Sequence, residues 1–117
     1  MGRIDPERLV DLAAQAAWEV KAHNPVILDL RGISSLADHF LICSAHSDRH
    51  VRAIADHIGE CLEKAQVRMH HREGYPEARW ILLDYHDLII HIFHAETRRY
   101  YNLEWLWGDA PQREYRG

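Results

Sequence analysis

Apolar residues at Leu9, Leu12, Ala13, Ala16 and Val20 recur at the three- and four-residue steps of one helix face. Asp5-Pro6 ahead of them reads as an N-cap followed by proline in the first helical turn. His23-Asn24-Pro25 ends this predicted helix, because the residue before a proline avoids the helical region. A short apolar run at 26–31 predicts a strand, Gly32-Ile33-Ser34-Ser35 a loop, and 38–43 a second strand. In that second strand Phe40 and Ile42 alternate with Leu41 and Cys43, so both faces are apolar and the sheet needs cover on both sides, at least partly from helices. Ser47 and Asp48 open a second helix with the stripe Val51, Ile54, Ala55, Ile58 and Leu62, ending near Ala65. Arg52/Asp56 and Glu60/Lys64 stand four apart on its other side, as ion pairs would.

Residues 67–72 predict a third strand, and Gly74 and Pro76 mark 73–79 as a loop. Two further strands, 80–84 and 88–93, are separated only by Tyr85-His86-Asp87, which makes them a hairpin. His86 is among the residue types that tolerate positive φ at such a turn. Residues 96 to about 107 predict one last helix, with Gly108 as its C-cap and Pro111 beyond, and 109–117 read as a frayed tail. The order α-β-β-α-β-β-β-α over 1–117 is that of one α/β domain, a mixed sheet with packed helices.

Charge narrows the partner. Eighteen acidic against 14 basic residues give a net charge of -4. Nucleic-acid binding runs on phosphate neutralisation by Lys and Arg, so this balance argues against RNA or DNA as the main partner and for a basic protein. The two cysteines, Cys43 and Cys61, form no CxxC and imply no disulfide framework. No apolar run is long enough to span a bilayer, and the N-terminus does not read as a secretory or transit signal, so a cytoplasmic protein is expected.

Ten histidines raise the question of a metal. Adjacent strand residues such as His70/His71 point to opposite faces, and so do His91/His94, three apart, so neither pair chelates one ion in regular strand geometry. No HExxH or zinc-type Cys/His spacing occurs, and neither a metal nor a cofactor is expected. The element order is compatible with a nucleotidyltransferase-like fold, yet no DxD or ExD pair lies on a strand and no Gly-Ser phosphate loop precedes one. Asp84 and Asp87 flank a turn, and Asp38 stands alone at a strand start. A metal-dependent nucleotidyltransferase-like enzyme using Asp84 and Asp87 remains the alternative, beside a dimeric adaptor for some other basic partner. Cys43 in an apolar strand and Cys61 on a helix lack the electropositive setting of a reactive thiol. Glu73, Trp80, Asp84, Tyr85 and Asp87, by contrast, converge if the hairpin strands pair. Trp and Tyr are enriched at binding hot spots and carboxylates select basic partners. The plainer alternative, which composition alone favours, is a core Trp80 and solvated turn carboxylates.

The segment Ser34-Ser35-Leu36-Ala37-Asp38-His39-Phe40-Leu41-Ile42-Cys43 resembles the RsfS/Iojap ribosomal silencing factors. So do Ser47-Asp48-Arg49-His50-Val51, Glu73-Gly74, Trp80-Ile81-Leu82-Leu83-Asp84-Tyr85-His86-Asp87 and Arg99-Tyr100-Tyr101-Asn102-Leu103-Glu104, spread over most of the chain. The departures are His86 where the family usually has Gly, His46 for a small residue, and Ala95 for Pro or a polar residue. The resemblance implies a nucleotidyltransferase-like fold without the catalytic residues, and a protein that is not an enzyme. It implies binding to the large ribosomal subunit through its fourteenth protein, steric blocking of subunit joining, repression of translation, and a homodimer when free. On this reading Trp80 is the anchor, Glu73, Asp84 and Asp87 face the partner's basic residues, and Tyr85, Asp38 and His91 lie on or near the same surface. Arg49 and His50 are candidates for a minor rRNA contact.

Overall fold

In the computed structural model, which describes residues 4–117, the apolar stripes and alternating strands meet in a single six-stranded sheet. The elements are α1 (Pro6–Glu19), β1 (His23–Asp29), β2 (His39–Ala45), α2 (Asp48–Lys64), β3 (His71–Glu73), β4 (Trp80–Asp84), β5 (Leu88–His94), α3 (Ala95–Tyr101), α4 (Leu103–Leu106) and β6 (Gln112–Glu114). The order across the sheet is β3-β4-β5-β2-β1-β6. Among the described residues only β2 and β5 pair in parallel, so the sheet is mixed.

One face carries α1 and α2. The α2 stripe of Val51, Ile54, Ala55, Ile58 and Leu62 is buried with Leu9, Val10 and Ala13 of α1 against Leu41, Cys43, Ile81, Leu83, Ile90 and Ile92. Burying each Val, Leu or Ile side chain contributes about 1.5–3 kcal/mol, so this layer holds the domain together. Ser47 caps α2 through its hydroxyl, which accepts from His50 N–H at 3.1 Å. The other face is covered toward β1 by Leu103, Trp107 and Ala110, which pack on Leu28, Leu30, Phe40, Ile42 and Phe93. All seven residues of β2 are buried, as its two apolar faces require. Over β4 and β5 the cover thins, and Trp80, Leu82 and Ile89 are half-exposed.

Four elements depart from the sequence expectation. β1 begins at His23, not after Pro25; the register slips between His23 and Val26, and Pro25, which has no N–H to give the ladder, sits in that irregularity. β3 runs His71–Glu73 and shares only 71–72 with the expected 67–72, because its partner β4 is five residues long and ends at Asp84. The expected helix at 96–107 is two, broken at Asn102 (φ 48°, ψ 59°), and Trp107, not Gly108, closes the second. The expected frayed tail contains β6, which pairs antiparallel with β1 and is held by Arg113 to Asp11 at 2.7 Å. The anticipated Arg52/Asp56 pair gives way to contacts with the 74–79 loop. Arg52 donates to the carbonyls of Tyr75 (3.2 Å) and Pro76 (2.8 Å), and Tyr75 OH donates to Asp56 (3.0 Å).

Candidate protein-docking face

Strand alternation decides which side chains share the open face. Trp80, Leu82 and Asp84 of β4 point outward, while Ile81 and Leu83 are buried toward the helices. Across the ladder Leu82 stands between Glu73 and His91, and Asp84 between His71 and Ile89. Glu73, Trp80, Asp84 and His91 therefore lie on one face, with Trp80 and Asp84 about 13 Å apart along the strand.

Trp80 is neither sealed in the core nor free. Its ring packs on Phe93 at 4.9 Å and Tyr101 at 4.8 Å, and its indole N–H donates to His91 Nδ1 at 3.1 Å. Indole nitrogen can only donate, so His91 Nδ1 accepts and the ring proton sits on Nε2. His91 is 4% exposed, and desolvation pushes its pKa down to about 4. It is a neutral ring at pH 7, and its Nε2 has no hydrogen-bond partner among the described residues. Gly74 lets the loop before β4 close on the backbone of Trp80. At φ +82° a Cβ there would lie 2.1 Å from the Trp80 carbonyl oxygen, so only glycine lets the loop run against the start of β4.

The other carboxylates collect at the hairpin end. Asp38, Asp84 and Asp87 line a shallow groove of about 470 Å³ with Ser34, Ser35 and Leu36. The Asp87 carbonyl accepts from Asp38 N–H at 2.8 Å, which ties the start of β2 to the hairpin. Asp84 Oδ1 accepts from His86 N–H at 2.8 Å and tightens the turn. His86 adopts φ 69°, a positive value that histidine tolerates.

Tyr85 does not belong to this face. Following Asp84 it points the opposite way, is 5% exposed within the helix-covered core, and desolvation raises its pKa to about 12. Leu82, Ile89 and Tyr101 join the face beyond the residues expected on it. Alternation with Ile81 and Leu83 would have exposed the first; Tyr101 reaches Trp80 only through the tertiary fold. Tyr100, Trp105 and Leu106 are more exposed still, at 82%, 77% and 65%. Cys43 is fully buried, its thiol pushed up to about 12 by desolvation. No helix among the described residues is long and apolar enough to cross a membrane.

The class is thus an α/β domain whose two long helices cover one sheet face, while the short C-terminal helices leave an acidic and aromatic surface uncovered on part of the other. Comparison with known proteins narrows it. The family model described as "Ribosomal silencing factor during starvation" matches residues 3–117, and the chain belongs to this ribosomal silencing factor family, RsfS. The chain is 43% identical over 111 residues to a ribosomal silencing factor RsfS of Halalkalibacterium halodurans, covering 95% of each chain. It is 43% identical over 108 residues to that of Bacillus subtilis, covering 92% of each. A chloroplastic Iojap protein of Zea mays is 33% identical over 101 residues, which span 86% of this chain and 44% of that one. Crystal structures of proteins from Chromobacterium violaceum (TM-score 0.88, 27% identity, 97% and 95% covered) and Bacillus halodurans (TM-score 0.82, 39% identity, 93% and 99% covered) share the fold.

Proposed function

We propose that this chain silences the ribosome as a cytoplasmic, non-enzymatic docking protein. It binds the large subunit through a basic ribosomal protein, the fourteenth of that subunit, and occupies space the small subunit needs, so that joining and translation are repressed. The observation that carries this reading is Trp80: a half-exposed aromatic, fixed by His91, Phe93 and Tyr101, with Glu73 and Asp84 on the same face. A fixed aromatic anchor loses little freedom on binding, and flanking carboxylates select Arg and Lys. Asp38 and Asp87 extend the acidic surface at the hairpin end, and Leu82 and Ile89 supply apolar contact between the two. A stable interface needs about 800 Å² from each partner, more than any one of these residues offers, so the whole outer face of β4 and β5 takes part. The exposed Tyr100, Trp105 and Leu106 are the surface on which a second copy would close the free homodimer.

Sedimentation with separated ribosomal subunits tests the reading. The chain is expected to travel with the large subunit and to lower the yield of joined ribosomes. Trp80→Ala, with its fold verified, should weaken large-subunit binding by about 2 kcal/mol or more. Undiminished binding by that variant removes Trp80 from the interface. Co-migration with the small subunit, or with neither, rejects the proposal.

A further inference from the structure

Two groups of three metal-ligating side chains occur among the described residues, Glu7/Asp29/His39 and Glu19/His57/Cys61. The first is already neutralised. Arg31 Nη2 donates to Glu7 at 2.6 Å and to Asp29 at 2.7 Å, so a guanidinium stands where a cation would. The second is held through its own ligand atoms: His57 Nε2 lies 2.9 Å from Glu19 Oε1 and 3.5 Å from Cys61 Sγ, and all three atoms fall within 4.8 Å of one another.

These distances suit one tetrahedral ion. Zinc bonds of about 2.0–2.2 Å to nitrogen and oxygen and about 2.3 Å to sulfur put neighbouring ligands about 3.3 Å (N to O) and about 3.6 Å (N to S) apart. His57 and Cys61 are four apart on α2, so one turn of helix brings both to the same side. Glu19 comes from the last residue of α1, which packs on α2; its half-exposed side chain is free to move the few tenths of an ångström required. An imidazole and a thiolate favour zinc over magnesium or calcium, and carboxylate plus thiolate balance its two charges. We propose that Glu19, His57 and Cys61 form a zinc site that fastens the end of α1 to the middle of α2, with water in the fourth position. Cys61 enters as thiolate, giving its proton to solvent. The site stands on the helical layer, across the sheet from Trp80, and does not depend on the ribosome-docking reading.

Cobalt(II) titration of the full chain, free of any affinity tag, tests it. The expected result is one equivalent bound with a thiolate-to-metal charge-transfer band and intense tetrahedral visible bands, both removed by added zinc. Cys61→Ser should abolish the charge-transfer band, and His57→Ala should weaken binding by at least the roughly 10–100-fold that changes behind the ligands alone produce. Both positions are partly exposed, and circular dichroism checks that each variant is folded. A weak octahedral spectrum in the parent chain, or a charge-transfer band that survives Cys61→Ser, overturns the proposal.

Discussion

The hydrogen bond from Trp80 to His91 fixes two rings and one protonation state. His91 has an ordinary value of 6.5 and is held at about 4 by burial. Its pKa is depressed in the folded state, so the stability it permits is fully present above pH 6.5 and is lost as pH falls through 6.5 toward 4. The shift corresponds to about 3 kcal/mol at the acid end. Urea unfolding at pH 7 and pH 4 should show a smaller loss for His91→Gln than for the parent chain; equal losses would place the acid sensitivity elsewhere. At this scale much of the candidate face was legible, because Trp80, Asp84 and Glu73 lie on or beside strands whose alternation is visible. Tyr85 departs from the expected face because the strand alternation runs one residue past the strand end: Ile81, Leu83 and Tyr85 form one inward row. The zinc-type triad was not legible. His57 and Cys61 four apart hint at it, but Glu19 lies 38 residues before His57.

Two elements were set by contacts that local pattern does not record. A continuous helix through 96–107 would turn residues six apart to different sides. The break at Asn102 instead lets Glu104 reach back to Arg98, with bonds of 2.9 and 2.7 Å, while Arg98 also donates to Ser44 Oγ and to the carbonyls of His23 and Asn24. Asn102 tolerates the left-handed conformation; a β-branched residue there should cost about 1–2 kcal/mol. Asn102→Ile is therefore expected to destabilise by that amount in denaturant unfolding and Asn102→Gly to be close to neutral. β6 is the second case. All three of its residues are exposed, so no apolar alternation announces it; its hold comes from backbone bonds to β1, the Arg113 ion pair and Tyr115 packed edge-on to Trp18. It also covers what would be an open strand edge. Deleting residues 112–117 should lower the thermal midpoint by about 4 °C or more and raise concentration-dependent aggregation, measured by scanning fluorimetry and light scattering.

At the scale of the molecule, the two long helices take one side of the sheet, and the short C-terminal helices leave acid and aromatic groups on part of the other, in a chain of net charge -4. If this field steers the chain to a basic partner, salt should act mainly on association. The Debye length falls from about 10 Å at 0.1 M to about 3 Å at 1 M. Stopped-flow or surface-plasmon measurements with large subunits should then show the association rate falling steeply with salt and dissociation changing less; a salt-independent association rate would mean the carboxylates do not steer.

Short-range periodicity and motifs contiguous in the chain sufficed for the α/β class, the paired hairpin, both long helices and the family. That the tail becomes an edge strand, that the last helix breaks, that Tyr101 meets Trp80 and that Tyr85 turns inward came only with the folded chain. Those outcomes depend on main-chain pairing and on contacts between residues tens of positions apart, whose free energy exists only once the sheet has closed.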